Sequence, residues 1–399
     1  MLLRLAIKSL LDRKSSVLLT CFALTISIFV LLGVEHIRKE SKESFSSTIS
    51  GADLIVGAKS GRLNLLLYSV FRMGSPINNI SWRSYQNIAA APDVDWTIPI
   101  SLGDSHNGFR VLGTNNDYFE YFKYGRKQSL SFELGNQFRS NFDVVLGAEV
   151  AASLKYKLGD KVVLSHGIGD TSFTIHDENP FTITGILTST GTPVDQTVHV
   201  GLEGIEAIHQ GIGSTHAKLK PSSITAFIIG LKSRISTFKL QRHINEMQEE
   251  PLMAILPGVA LSELWRMMSM LENTLLLISS MVFVAAVLGL TAVLASSIRE
   301  RRKEISLLRT IGAPPSFLFL LFQLEALLVS LVSMFTGSAL LCVSLSISQS
   351  QISKQFGLHL STTPFSMNSL SILLSMMFIT ALAASLPAFQ AYKEAKTAY

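Results

Sequence analysis

The chain has only two cysteines in 399 residues, Cys21 and Cys342, and both lie inside apolar runs. No disulfide framework can therefore brace its polar regions, and the thiols do not report the compartment. A phosphate-binding loop, a GxGxxG turn, a metalloprotease helix and a GxSxG nucleophile elbow are all missing. Covalent catalysis by this chain has little support. No repeat with a period of about 20–50 residues is visible either, which argues against a solenoid or propeller.

What the sequence has in quantity is uncharged apolar stretches. Hydrophobic residues make up 48% of the chain and the mean hydropathy is +0.37. Four runs stand out, at 15–34, 274–298, 316–346 and around 365–391. A hydrocarbon core of about 30 Å needs roughly 20 apolar helical residues, and each run is long enough. More than half of the chain lies between the first and second runs. The pattern predicts a membrane α-helical protein with four transmembrane helices and a large α+β extracytoplasmic domain between helices 1 and 2.

Charge placement sets the orientation. Arg4, Lys8, Arg13 and Lys14 precede the first run, against Asp12 alone. Arg299, Arg301, Arg302, Lys303 and Arg309 follow the second, and Lys393 and Lys396 follow the fourth. By the positive-inside rule both termini and the 299–315 loop are cytoplasmic, so the insert faces outward. The formal charge of +5 therefore reads as topology rather than nucleic-acid binding. The first run is longer than a signal-peptide core and no small-residue cleavage site follows it, which predicts an uncleaved anchor.

These signals divide the chain. Residues 1–14 form an interfacial amphipathic helix, with Leu2, Leu3, Ala6, Leu10 and Leu11 largely to one side. Helix 1 spans 15–36, and 37–272 is the extracytoplasmic domain with helical stalks at 35–47 and 261–271. Helices 2, 3 and 4 occupy 273–298, 316–346 and 365–391. A cytoplasmic segment at 299–315, a short outer loop at 347–364 and a tail at 392–399 complete the chain. Within the insert, 143–147, 161–165, 181–187 and 224–230 carry strand signals, while 149–156 and 237–249 read as helix. Glycine, histidine and threonine enrichment in 166–221 suggests two lobes.

Ile305, Leu308, Ile311 and Gly312 share one helical face in the 299–315 segment, offering knobs to a partner's groove. Its plain alternative is an ordinary positively charged loop. Glu325 is the single charge inside its run. A carboxylate there costs about 2.5–3.5 kcal/mol on insertion scales, so it faces protein or water. A packing or interfacial role and proton or ion transport are the two alternatives. His166, His176, His199, His209 and His216 fall close in sequence with several carboxylates, a composition that suits zinc. No HxH or i, i+4 spacing sharpens that signal, and scattered surface histidines account for it equally. Met253, Met267, Met268, Met270 and Trp265 predict stalk or core packing, or else a soft lipid-contacting surface.

The segment after helix 2 reads Arg-x-x-Glu-Ile-x-Leu-Leu-Arg-x-x-Gly-Ala through Arg301, Glu304, Ile305, Leu307, Leu308, Arg309, Gly312 and Ala313, with Glu325-Ala326 beyond. In this it resembles the MacB/FtsX-type permeases of ATP-binding-cassette systems, which include lipoprotein-releasing permeases. Pro387-Ala-Phe-Gln-Ala at the last exit, the opening Leu5-Ala-Ile-Lys-Ser-Leu-Leu-Asp-Arg-Lys and Gly51-Ala-Asp-Leu-Ile-Val-Gly-Ala-Lys fit the same pattern. The resemblance covers both ends and all four spans, and is weakest in the middle of the insert.

It implies a MacB-like periplasmic core domain within 37–272 and an FtsX-like permease domain over 273–399, in a bacterial inner membrane. Arg301, Arg302, Glu304, Ile305, Leu308, Arg309, Gly312 and Ala313 would form a coupling helix contacting two copies of a separate ATPase subunit. That partner would hold ATP and Mg, leaving this chain with no cofactor of its own and no enzymatic activity. A second permease copy, as homodimer or heterodimer, the lipid bilayer and a periplasmic adaptor or binding protein are the other expected partners. Motion would pass outward to export, extract or release a substrate. The alternative is a membrane-anchored sensor or scaffold binding a periplasmic ligand, conceivably metal-related.

Overall fold

The computed structural model describes residues 2–167, 179–210, 219–300, 314–356 and 367–397. It divides into a helical unit (1–40, 269–350 and 360–399) and an α+β unit (41–268 and 351–359). In chain order the helices are α1 (Leu2–Asp12), α2 (Lys14–Ser47), α3 (Arg62–Phe71), α4 (Trp82–Ala89), α5 (Asp117–Tyr121) and α6 (Ala148–Leu154). They continue with α7 (Leu202–Gln210), α8 (Thr237–Asn245), α9 (Pro257–Glu300), α10 (Pro315–Phe356) and α11 (Met367–Thr397). Four of them, α2, α9, α10 and α11, are long and apolar enough to cross a membrane.

Each of these long helices is divided lengthwise. On α9 the buried positions are Phe283, Ala286, Val287, Leu290, Leu294 and Ile298, which recur every three or four residues. On α10 they are Leu318, Leu321, Phe322, Glu325, Ala326 and Val329. Such spacing lines one side of a 3.6-residue helix. The other sides carry exposed Leu18, Leu19, Met281, Leu288, Phe335 and Phe378, a surface suited to lipid rather than water. Small and polar side chains join the helices where they approach. Ser333 Oγ donates to the Cys21 carbonyl at 3.2 Å, and the Thr25 and Thr336 hydroxyls lie 2.8 Å apart.

The strands of the main sheet are β1 (Leu54–Ala58), β2 (Val94–His106), β3 (Phe109–Thr114), β4 (Phe132–Gly135), β5 (Asp143–Leu146) and β6 (Lys161–Val162). They continue with β7 (Ser165–His166), β8 (Phe181–Leu187), β9 (Thr197–Gly201), β10 (Ala226–Leu231) and β11 (Leu252–Ile255). Their order is β11-β1-β10-β2-β3-β9-β5-β8-β4, with β7 on β2 and β6 on β8. The β3–β9 and β5–β8 pairs are parallel and the others antiparallel.

Strand β2 carries both halves of this sheet. Its first part pairs with β10 as far as Ile100, and Ser101–His106 pairs with β3 across a register shift between Leu102 and Ser105. Side chains alternate across the sheet with period two. Ile55, Ile98, Ile100, Leu112, Val145, Leu187 and Ile228 therefore enter one core on one face. Leu54, Val56, Phe227 and Ile229 enter a second core, and Val144, Leu146, Ile183, Val198 and Val200 a third, both on the opposite face. Cover on both faces explains why β1 and β10 read as continuous apolar runs. Helix α3 lies so close over β1 that a Cβ on Gly57 would sit 2.6 Å from Leu65 Cδ1 and 2.7 Å from the Tyr68 hydroxyl.

The strand expected at 181–187 is found with those limits. The one expected at 161–165 is two short pieces, β6 and β7, on different neighbours. Helices α6 and α8 are shorter than expected, and the two lobes share one sheet. Expected strands at 143–147 and 224–230 shift by one or two residues.

Candidate functional site

The helical unit holds its polar groups where α1, α2, α9 and α10 meet. Helix α1 shows three distinct faces. Ala6 and Ser9 are buried, Leu3, Ile7 and Leu11 are exposed apolar groups, and Arg4, Lys8 and Asp12 are exposed charges. At 100° per residue Ala6, Ser9 and Arg13 fall on one narrow stripe, between the apolar and the charged ones. The small stripe packs on the other helices with half-buried Leu2 and Leu10 beside it, while Leu3 and Leu11 stay outside. Amphipathicity alone suggested the leucines would share a face with Ala6. A large apolar side chain gains by facing lipid, whereas small residues allow helices to approach closely.

That stripe carries two attachments. Ser9 Oγ donates to Glu325 Oε1 on α10, and both side chains are buried. Arg13 donates to the Ser297 carbonyl on α9 at 3.1 Å and lies 3.9 Å from the Glu300 carboxylate. Ser297 is in the last described turn of α9, where carbonyls point toward the helix C-terminus and attract cationic donors. A small cavity of about 20 Å³ lies between these groups, walled by Leu10, Val17, Thr20, Leu290, Val293, Leu294 and Val329. Apolar atoms make nearly all of its wall, so it is a packing gap rather than a polar chamber. Two residues before Glu325 on α10, Gln323 donates to the Ala381 carbonyl of α11 at 3.2 Å.

Glu325 is thus enclosed by protein, with Ser9 of α1 beside it. The residues expected to face a partner (Arg301, Arg302, Glu304, Ile305, Leu308, Arg309, Gly312 and Ala313) lie outside the described residues. The helices that lead into and out of that segment are α9 and α10, the two that α1 holds. Ser9 and Arg13 were not singled out from the sequence. Their partners are hundreds of residues away, and the only local signal was a small-residue stripe inside an amphipathic helix.

Of the five candidate metal-binding histidines, His176 and His216 lie outside the described residues. His166 ends β7. His199 on β9 is fully buried, its Nδ1 3.3 Å from the Val145 carbonyl and its ring 5.1 Å from Tyr118. Burial, with the Arg72 guanidinium nearby, pushes its pKa down to about 3. His209 ends α7 with Nε2 3.7 Å from the Asp104 carboxylate, which holds that imidazole's pKa up. Among the described residues no three His, Cys, Asp or Glu side chains gather as a metal site would require.

The cluster around His199 is polar but enclosed. Arg72 terminates α3 in the left-handed region at φ 59 and is buried, which lowers its pKa. Burial raises the Tyr118 phenol, and Arg72 beside it partly offsets that effect. No well-aligned hydrogen bond reaches Tyr118 Oη or His199 Nε2 among the described residues. Elsewhere Met253 packs against the core, while Met267 and Met270 are exposed on α9.

Comparison with known proteins covers nearly the whole chain. Residues 17–246 match the MacB-like periplasmic core domain, and 276–397 match the FtsX-like permease C-terminal domain. One similar solved structure is the periplasmic region of MacB from Actinobacillus actinomycetemcomitans, at 11% identity and TM-score 0.37. The match covers 54% of this chain and 94% of that one. Another is the extracellular domain of the noncanonic ABC-type transporter YknZ from Gram-positive bacteria, at 11% identity and TM-score 0.33. There the shares are 51% and 98%. None of the curated proteins compared matches the chain. With the first domain alone matching more than half the chain's length, and four apolar helices of which one opens that match and three follow it, the chain belongs to the MacB/FtsX-type family of ABC transporter permeases.

Proposed function

We propose that this chain is the permease subunit of an ABC complex whose ATPase is a separate polypeptide, and that it works by mechanotransmission. Nucleotide-driven motion enters at the 299–315 segment, and the long helices carry it outward to reshape the α+β unit. That unit then exports, extracts or releases a substrate. Two ATPase copies and a second permease copy would complete the assembly. In this reading the termini and the 299–315 segment are cytoplasmic, and the α+β unit is periplasmic, beyond a bacterial inner membrane.

The observation that carries this reading is the length of α9. Its 44 residues run unbroken from Pro257 to Glu300. At 1.5 Å per residue that is about 66 Å, roughly twice a hydrocarbon core of about 30 Å. A single rod of this length, with its one proline at the first position where the ring is tolerated, can move both ends together. Helix α2 adds a second, with 34 residues and a length of about 51 Å.

The test is the ATPase rate of the co-purified complex. Ile305→Asp and Leu308→Asp place charges on the apolar ridge proposed to dock. Each is expected to lower permease-dependent ATP turnover at least about tenfold, the effect of roughly 1.4 kcal/mol of lost docking energy. Unchanged turnover with both substitutions together contradicts the reading.

A further inference from the structure

We propose that the N-terminal helix is a strap tying together the two helices that flank the coupling segment, and that Glu325 is a positioning residue serving as its acceptor. The assignment of a coupling role rests on the function proposed above; the strap itself does not.

Three observations converge on it. The first is which face docks: α1 turns Ala6 and Ser9 to the bundle, with Arg13 in the turn that follows it, and leaves Leu3, Ile7 and Leu11 outside. A helix held only by membrane partitioning has no reason to bury a serine. The second is the division of contacts. Ser9 reaches α10 and Arg13, in the turn after α1, reaches α9, so one short helix and its closing turn touch both sides of the sequence gap between them. The third is the chemistry of Glu325. Its carboxylate is only 3% exposed and lies in the buried stripe of α10, and Ser9 Oγ donates to one of its oxygens. A buried polar group in this setting is held in place by its hydrogen bonds, because leaving it unpaired is costly.

The consequence is mechanical. If the end of α9 shifts relative to the start of α10, Ser9–Glu325 and Arg13–Ser297 cannot both persist. Helix α1 must follow one of the two helices and release the other. The acceptor, rather than the negative charge, is what this role requires of position 325.

The experiment uses the full chain in nanodiscs, alone and with its ATPase subunit, and carries a spin label at position 3 on the exposed face of α1. Ser9→Ala and Glu325→Leu remove the donor and the acceptor, while Glu325→Gln keeps an acceptor without the charge. Ser9→Ala and Glu325→Leu are expected to raise the mobile label fraction by roughly tenfold, the equilibrium effect of one buried hydrogen bond. The double variant is expected to be no worse than either single one, and Glu325→Gln to match the unmodified chain. Permease-dependent ATP turnover should fall in step with the label signal, at constant melting temperature for the α+β unit.

An unchanged label in both disrupting variants overturns the strap. A mobile label with full ATP turnover overturns the positioning role. Failure of Glu325→Gln alongside Glu325→Leu assigns the residue to charge transfer instead. Because the label is read without the ATPase, a chain that recruits no ATPase defeats the functional reading while the strap is still tested.

Discussion

His199 and Glu250 show how single titratable groups report on the α+β unit. His199 is buried and neutral, with its pKa depressed from 6.5 to about 3. A depressed histidine contributes stability that is whole above the unfolded pKa and lost as pH falls below it. Between pH 6.5 and 5 this group alone should remove about 2 kcal/mol, at 1.36 kcal/mol per pH unit. Urea midpoints followed by the fluorescence of Trp82 and Trp96 should fall over that interval, and less so in His199→Phe. Equal pH dependence in both proteins refutes the assignment.

Glu250 acts from a distance on a helix cap. It accepts from the Ser81 backbone N–H at 2.9 Å and from Ser81 Oγ at 2.7 Å, while Ser81 in turn caps α4 through Ser84 N. Burial pushes its carboxyl up, but hydrogen bonds from Ser84 and Ser81 outweigh that and leave it below the usual value. Replacing it with alanine frees Ser81 and should cost about 1–2 kcal/mol, measured by the same denaturation. A loss of less than about 0.3 kcal/mol would show the cap to be self-sufficient.

At the level of elements, the long helices are the ones the sequence declared most clearly. Runs of about 20 uncharged residues have few other physical explanations. Strands were harder to read. Val94–His106 contains Pro99, Gly103 and Asp104, which break any simple alternation, and it became visible only once its two different neighbours were known. Expected helices within the insert were found with shorter limits, because propensity continues past the point where packing stops. On α1 the apolar residues expected on one side divide, Ala6 buried with Leu2 and Leu10 half-buried beside it and Leu3 and Leu11 exposed: hydrophobicity locates a membrane surface, but it does not say which residues meet protein.

The outer ends of α2 and α9 within the helical unit are joined by charge. Arg38 lies 3.4 Å from Glu35 on its own helix and 3.7 Å from Glu272 on α9. Arg38 is well exposed, and such pairs contribute only about 0.2–1 kcal/mol. A double-mutant cycle of Arg38→Ala and Glu272→Ala should give a coupling in that range at low salt. At about 1 M salt, where the Debye length is near 3 Å, it should approach zero. A coupling above about 2 kcal/mol would mean the two helices are locked rather than lightly tethered, and a lever needs the latter.

For the whole molecule, the order of parts is what places this chain among the MacB/FtsX-type permeases: one span, a mixed sheet domain, then three spans. That order was legible from apolar runs and basic flanks alone. The candidate site was legible only in part. Glu325 could be singled out because a charge in an apolar run is conspicuous, whereas Ser9, Arg13 and Ser297 are ordinary residues until folding brings them to it. The histidine-rich stretch carried the opposite risk. Composition made it look like a metal site; of the described members His199 is walled in by aromatics and His209 lies beside an aspartate.

The central claim is that residues 299–315 dock on an ATP-hydrolysing subunit inside the cell. Photocrosslinking from position 308, in sealed membranes that also contain the cognate ATPase, addresses it directly. The account predicts a nucleotide-sensitive adduct with that ATPase, and protection of a cysteine at the same position from an impermeant maleimide added outside. Labelling from the outside, with no adduct under any nucleotide condition, would contradict it.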